Sequence, residues 1–314
     1  MLKQQQTNPG SVELDSMLAT ATLATTPDEG AAVDALQLQV EAAPVHAGAC
    51  ERHLLVHVVV RVAVQAEVDH VFDDVLAEAQ ALGYAEADPT FDVDGIDAAH
   101  KLALLSALAF GHVVDFGAVH TEGIRSISAL DIAYAEEFGY RIKLLGIAER
   151  TEEGIRQRVH PCMVAKQAPI AQVEGVFNAV MAEGDAVGTT LHYGRGAGAG
   201  PTASAVIGDI VDIASGRGAP VFGVPADQLS ESTEAPWESM RGGYYVRLMV
   251  IDRPGVLADV TAIMRDQNIS LESMVQRGRD PYEKVPVALT THEVDEASMR
   301  KALADIAKLD AVQE

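Results

Sequence analysis

Five carboxylates crowd in front of a single lysine in residues 82–101, which read LGYAEADPTFDVDGIDAAHK. The acidic residues are Glu86, Asp88, Asp92, Asp94 and Asp97, and the cation is Lys101. Three kinds of chemistry suit this arrangement: a calcium loop, the charged start of a helix, or a site for a small amino acid. In the third, carboxylates would bind the ammonium group and the lysine would exchange a proton with a hydroxyl group.

A calcium loop of the EF-hand type does not fit the spacing. Placing Asp92, Asp94 and Gly95 at loop positions 3, 5 and 6 puts Thr90 at position 1 and Lys101 at position 12. The last loop position requires a bidentate glutamate, so a lysine there abolishes the site. The sequence therefore predicts no metal site in this stretch.

The helical interpretation explains part of the stretch. The apolar pattern predicts a helix over residues 96–110, capped by Asp94 or Gly95 and closed by Gly111. Asp97 and Lys101 are then i and i+4, a spacing at which opposite charges pair on a helix surface. Such pairing does not explain why the helix is almost wholly apolar after the lysine, so a structural and a functional role both stay open.

The elements around this helix indicate an α+β chain. Helical patterns also cover residues 72–83, 131–139 and 202–216, and strand patterns cover 53–68, 141–149, 155–164, 170–184 and 189–194. A polar stretch at 227–243 indicates a linker. Behind it, the order strand, helix, strand, strand, helix, strand is typical of a ferredoxin-like unit.

Charge and composition exclude some functions. The 314 residues carry a formal net charge of −23, which argues against nucleic acid as a partner because phosphates require clustered lysine and arginine. We expect no membrane partner and a cytoplasmic location, since no apolar run could span a bilayer and no signal-peptide core is visible. Cys50 and Cys162 lack zinc-ligand spacing and indicate free thiols, and His160 between strand residues indicates a structural histidine.

The pattern A-x3-G-Y-A-x2-D-P-x2-D-V-x-G-x-D-x3-K, which runs from Ala79 to Lys101, resembles the signature of homoserine dehydrogenases. The likeness continues through IRSISALDIAYAEEFGYRIKLLGIAE, RVHPCMV and GRGAGAGPTASAVIGDI, and extends to residue 314. It implies a catalytic domain over 69–228 with a mixed sheet and helices on one face. A linker over 229–242 and a ferredoxin-like ACT domain over 243–314 would follow, and residues 1–68 would lie outside the family.

The resemblance implies an oxidoreductase that interconverts L-homoserine and L-aspartate 4-semialdehyde, with NAD or NADP as the hydride carrier. Lys101 corresponds to the family's lysine that handles the hydroxyl proton, and Asp97 to the acid beside it. Glu86 and Asp92 correspond to acids that bind the amino-acid substrate.

The stretch GRGAGAG, residues 194–200, superficially resembles a dinucleotide fingerprint. Pro201 follows at once and no acid lies at the end of a second strand, so the match has low specificity. The resemblance implies that Gly194, Gly196 and Gly198 approach the nicotinamide end of the cofactor. The alternative is a packing loop that leads into a helix.

The resemblance also implies an N-terminal Rossmann domain, whose glycine fingerprint residues 1–68 do not contain. We therefore expect that this segment comes from a shifted or misassigned reading frame, and that the chain alone is weakly active or inactive. The alternative is a non-catalytic regulatory subunit or pseudoenzyme that binds an amino acid.

The stretch VIDRPGVLADVTAIMRDQNIS matches the ACT pattern. Asp252, Gly255 and Leu257 fall at its strand-to-helix turn, and Asn268 falls where the helix meets the next strand. Backbone N–H groups at a helix start would bind a carboxylate, and Asp252 or Asn268 the ammonium group. The resemblance implies a homodimer or homotetramer with paired ACT domains and threonine as effector; the alternative is a dimerisation module without ligand.

Overall fold

The computed structural model describes residues 55–59, 89–175, 177–196, 198–218, 220–277 and 284–313. All of them belong to one compact unit, Ala47–Glu314. The helix predicted over 72–83, the candidate residue Glu86 and most of the segment 1–68 lie outside the described residues.

The described residues form six helices and eleven strands, of which several are short. The helices are α1 (Thr90–Val93), α2 (Ile96–Phe110), α3 (Ala129–Glu137), α4 (Ala199–Ala214), α5 (Val256–Asp266) and α6 (Glu296–Ile306). The strands are β1 (Leu55–Val59), β2 (Val119–Thr121), β3 (Tyr140–Thr151), β4 (Gly154–Ala165), β5 (Phe177–Gly184), β6 (Gly188–Arg195), β7 (Arg241–Gly242), β8 (Tyr245–Ile251), β9 (Leu271–Gln276), β10 (Lys284–Thr291) and β11 (Val294–Asp295). None of the helices in these ranges is long and apolar enough to cross a membrane.

A six-stranded mixed sheet forms the first half of the fold. Its strand order is β2-β4-β3-β1-β5-β6, in which β2 and β4 pair in parallel and the other neighbours pair antiparallel. β1 lies within the segment that the sequence places outside the family, yet its backbone pairs with both β3 and β5. The sheet therefore includes five residues of that segment.

Helix α2 covers one face of this sheet. Leu102 and its alanine neighbours are fully buried against residues of β3 and β4, among them Leu144 and Val159. Small side chains on the buried stripe let the helix approach the strands closely. As predicted, the helix is bounded by glycines: Gly95 has φ 75° and Gly111 has φ 70°, left-handed values that favour glycine.

The C-terminal half is a three-stranded antiparallel sheet in the order β8-β10-β9, with α5 and α6 packed on a shared apolar core. The predicted final strand is not formed as a strand. Val312 makes a single bridge to Val250, flanked by bonds from Ile251 N–H to Ala311 C=O and from Gln313 N–H to Met249 C=O. The turn that follows α6 leaves too few extended residues for a longer ladder.

The polar residues predicted as a linker are fixed to β4. Ile155 N–H donates to Thr233 C=O at 2.8 Å, and the Ile155 carbonyl accepts from Ala235 N–H at 3.1 Å. The Arg156 guanidinium donates to Pro236 C=O and to Ser239 Oγ, at 3.2 and 2.9 Å. These bonds hold the predicted linker against the sheet.

A close backbone approach joins the loop after β2 to the turn before α2. Ile124 N–H donates to Val93 C=O at 2.9 Å. A Cβ atom on Gly123 would collide with the Val93 carbonyl oxygen and with the backbone of Asp94. Neither neighbour is a side chain that could rotate away, so this contact requires glycine.

We expect Gly123→Ala to lower the free energy of unfolding by about 1–3 kcal/mol, because overpacking against fixed backbone forces the two segments apart. Chemical denaturation monitored by circular dichroism measures the change. Gly194→Ala is the matched control, since a Cβ atom there has no neighbour within 4 Å. Equal stability of the two variants would contradict the proposed tight contact.

Candidate active site

The start of α2 presents the candidate catalytic pair. Lys101 Nζ donates to Asp97 Oδ2 at 2.5 Å, across one turn of the helix. The side chains are 49% and 37% exposed, so a small molecule can reach both. The sequence predicted this pairing. Lys101 lies on the exposed side of α2, opposite the buried stripe of Leu102.

Asp94 has a different role from the predicted helix cap. Gly95 occupies the N-cap position of α2, and no side chain caps that helix end. The Asp94 carboxylate instead forms an ion pair with Arg125, which lies in the loop after β2. The capping interpretation of Asp94 was therefore wrong, because the left-handed glycine starts the helix and frees the carboxylate for a long-range partner.

The substrate-binding candidates are only partly described. Asp92 lies on α1, the short helix that precedes Gly95, and its side chain is half-buried. Glu86 lies outside the described residues. In the described ranges, no three His, Cys, Asp or Glu side chains are grouped so that they could hold a metal ion.

The start of α2 and the glycine-rich loop lie at the same end of the sheet. A Cβ atom placed on Gly95 would lie 3.1 Å from Val159 and 3.4 Å from Thr121, so the start of α2 is near the carboxyl end of β2. At the other end of α2, the Phe110 carbonyl accepts a bond from Arg150, near the end of β3. Pairing directions make β2, β4, β1 and β6 run the same way. The chain therefore leaves β6 at the end of the sheet at which α2 starts, although β6 and β2 are opposite edge strands.

The three candidate cofactor glycines differ in their constraints. Gly194 lies in β6 opposite Asn178 and has open space around it, whereas a Cβ atom on Gly196 would overlap the Asn178 side chain. Gly198 has φ 110° and is the N-cap residue of α4, without a side-chain cap. The loop thus leaves free N–H groups at a helix start, which suits a passing cofactor group but does not form a dinucleotide site.

A nicotinamide dinucleotide fits the described residues only at that loop. Its adenosine half requires a parallel, doubly wound sheet, whereas the described sheet has a single parallel pair. No described residues form the opposite wall that would bury the cofactor over Lys101.

His160 and Cys162 resemble a nucleophilic pair but lack its electrostatics. Cys162 Sγ lies 3.4 Å from His160 Nδ1. Burial raises the pKa of the Cys162 thiol to about 12, against the opposing influence of Arg158. Burial also lowers the pKa of His160. At neutral pH both groups are uncharged, so the free thiol predicted for Cys162 is present and inert, and the histidine is structural.

The ACT candidates divide between the two ends of α5. Gly255, with φ 102°, is its N-cap residue, and Asp252 in the same turn accepts from Gln276 Nε2 at 3.3 Å. Leu257 packs on the core. Asn268, with φ 58°, follows the other end of the 11-residue helix, about 16 Å away at 1.5 Å per residue. One ACT domain therefore does not bring all four residues together.

Sequence reasoning missed the buried network around Asp131. This residue is the N3 acid of a capping box with Ser128, and it also binds Tyr245 and Arg247 of β8. The S-x-x-D pattern before an apolar run was a signal for the capping box. The partners of β8 lie more than a hundred residues away, so no local pattern could identify them.

The sequence profile of the homoserine dehydrogenase family matches residues 59–211, and that of the ACT domain matches residues 244–311. The homoserine dehydrogenase of Pseudomonas aeruginosa is 47% identical over 253 residues, covering 78% of this chain and 58% of that protein. The Bacillus subtilis enzyme is 36% identical over 248 residues, covering 77% and 57%. The chain thus spans somewhat over half the length of these relatives.

Comparison with solved structures indicates the same family as the sequence matches. A homoserine dehydrogenase from Thiobacillus denitrificans superposes with a TM-score of 0.72 at 46% identity, over 83% of this chain and 62% of that one. The predicted fold class, a mixed-sheet catalytic domain followed by an ACT domain, is confirmed. By its catalytic-domain segment and the ACT domain behind it, the chain belongs to the homoserine dehydrogenase family.

Proposed function

We propose that the chain supplies the substrate-binding and proton-transfer half of a homoserine dehydrogenase, which interconverts L-homoserine and L-aspartate 4-semialdehyde. The observation that carries this proposal is the Asp97–Lys101 pair, exposed at the start of α2. It lies in a segment close in sequence to the P. aeruginosa enzyme of that name.

Lys101 is the proton donor and acceptor in this proposal. In the reducing direction, the aldehyde oxygen gains negative charge as hydride reaches its carbon, and an ammonium group can give it a proton. Asp97 accepts a hydrogen bond from Nζ at 2.5 Å and so fixes the position of the amine that makes this donation. Asp92 and Glu86 are then available for the ammonium group of the substrate.

The hydride carrier is NAD or NADP, as in homoserine dehydrogenases in general. We assign Gly194, Gly196 and Gly198 to its nicotinamide end, since their loop leaves the sheet at the end at which α2 starts. The described residues hold no site for the adenosine half. Turnover by this chain on its own should accordingly be slow.

A regulatory subunit that binds an amino acid without turning it over is the second candidate. The observation that favours it is the well-formed ACT fold beside a catalytic segment whose opposite wall is not among the described residues. NADP-dependent oxidation of L-homoserine separates the two candidates, since a regulatory subunit would bind L-threonine and show no turnover.

L-Threonine is the proposed effector, with Asp252, Gly255 and Leu257 of one ACT domain and Asn268 of another as its site. The separation of these residues along α5 supports a site shared between two paired domains. A carboxylate would bind at the start of α5, and an acidic or amide side chain would take the ammonium group.

A second copy of the chain is the proposed partner of the β6–α4 surface. Helix α4 is strongly apolar and yet exposed along its length, with Ile207 57%, Ile210 53% and Ile213 78% exposed. Tyr193, on the strand that leads to this helix, is also 53% exposed. An apolar area of this kind is typical of a permanent interface, and a homodimer is the smallest assembly that covers it.

We expect Lys101→Met to lower the rate of homoserine oxidation by about a hundredfold or more, because a positioned general acid–base group contributes that much. Product formed with NADP over long incubations measures the rate, and calorimetry measures L-homoserine affinity. Lys308→Met is the matched control. Lys308 also forms an ion pair with a nearby acid, Asp305, but it lies in the ACT domain, about 200 residues further along the chain than Lys101. An unchanged rate in Lys101→Met would refute the catalytic assignment.

We expect Ile210→Asp to convert the assembly to monomers, because a carboxylate in a buried apolar interface is left unpaired. Sedimentation velocity measures the mass. Leu108→Asp is the control, since Leu108 is similarly exposed, 49%, but lies on α2. A dimer that persists in Ile210→Asp would remove the β6–α4 surface from the interface.

A further inference from the structure

Helix α3 is tied to the ACT domain at both of its ends. At its first turn, the Asp131 carboxylate binds Tyr245 and Arg247 of β8. At its last turn, Glu137 accepts two bonds from the Arg277 guanidinium, at 2.9 and 2.6 Å, just after β9. The two ties differ in burial: the Asp131 side chain is 5% exposed, whereas Glu137 and Arg277 are 32% and 68% exposed.

The two oxygens of Asp131 serve different parts of the molecule. Oδ2 accepts from the Ser128 backbone N–H at 2.9 Å and from its hydroxyl at 2.6 Å. Oδ1 accepts from the Tyr245 hydroxyl and from Arg247 Nε, both at 2.8 Å. One carboxylate therefore holds the loop that enters α3 and the first strand of the ACT domain together.

Burial alone would raise the pKa of Asp131, but the bonds from Ser128, Tyr245 and Arg247 together hold it below its usual value. The group is therefore an anion at neutral pH. A buried anion with these donors in place resists displacement, because a lost neutral donor leaves a buried oxygen unsatisfied and a lost Arg247 leaves the charge unbalanced.

From Ser128, a short chain of contacts reaches the catalytic pair. Ile127 N–H donates to Ile124 C=O, and Ile124 N–H donates to Val93 C=O. Arg125, between them, pairs with Asp94. Asp94 immediately precedes the left-handed Gly95 that starts α2, so a shift of this loop moves the helix turn that carries Asp97 and Lys101.

On the ACT side, β8 leads directly to the effector candidates. Tyr245 and Arg247 are two residues apart, so their side chains leave β8 on the same face. The alternate residues Val246 and Leu248 face the ACT core. β8 ends at Ile251, next to Asp252 and the turn that starts α5.

We propose that Asp131 relays the state of the ACT domain to the Asp97–Lys101 pair, by coupling the position of β8 to the loop of residues 121–128. The relay rests on the proposed function in one respect, since it takes amino-acid binding at the ACT domain as its input. The Glu137–Arg277 pair is a peripheral tie that carries no signal, because it is exposed and lies at the far end of α3.

The test uses the double variant Tyr245→Phe, Arg247→Met, which removes both ACT donors and keeps the capping box of α3. Calorimetry of the full chain measures L-homoserine affinity with and without saturating L-threonine. In the parent we expect the effector to change affinity by about 5- to 150-fold, the usual range of coupling between sites. In the double variant this factor should approach one, and in the control Arg277→Met it should be unchanged.

Coupling that survives in the double variant, or disappears equally in Arg277→Met, would overturn the relay. A parent that binds L-threonine and L-homoserine without mutual effect would also overturn it. A parent that binds neither amino acid would instead refute the proposed function, and the relay is then judged without ligands.

Hydrogen exchange of the unliganded chain tests the relay without any amino-acid ligand. We expect faster exchange at the Ile124 N–H and at the first amides of α2 in the double variant, and parent-like exchange there in Arg277→Met. Faster exchange confined to α3 and β8 would mean that the network only fastens the two domains, and would overturn the relay.

Discussion

The geometry of the candidate site depends on one backbone contact. Val93 C=O receives the Ile124 N–H across a gap that leaves no room for a side chain on Gly123. This contact fixes the turn from which α2 starts, and the orientation of α2 fixes the spacing of Asp97 and Lys101 above the sheet. An ion pair between two exposed side chains contributes little stability by itself. Its geometry is therefore set by the packed backbone beneath it and by the alanine-rich stripe that seats α2 on β3 and β4.

Polar groups in this protein separate into two electrostatic classes. Around Lys101 the charges are exposed, which suits groups that must meet a substrate and exchange protons with it. At Asp131, which contacts the ACT domain, and at Arg156, which contacts the segment ahead of it, the charges are buried and have several partners each. Buried networks of that kind specify one arrangement of neighbouring elements. The buried networks hold neighbouring parts of the protein together, and the exposed charges around Lys101 stay accessible to a substrate.

The sequence predicted those features that depend on residues close together in the chain. The limits of α2 followed from Gly95 and Gly111, because a left-handed glycine is favoured where a helix begins or ends. The Asp97–Lys101 pair followed from helical spacing alone. The partner of Asp94, the docking of residues 229–242 and the placement of β1 between β3 and β5 did not follow. These depend on pairing between distant residues, about which helix and strand periodicity carries no information.

The docked segment ahead of the ACT domain contains the single tryptophan of the chain. Trp237 lies against the imidazole ring of His120 on β2, with ring centroids 4.3 Å apart. Indole emission is sensitive to the polarity and the quenching groups within a few ångströms of the ring. Trp237 is therefore an intrinsic fluorophore at the contact between the docked segment and the catalytic sheet. We expect the emission wavelength and intensity of Trp237 to change if the docked segment separates from the catalytic sheet.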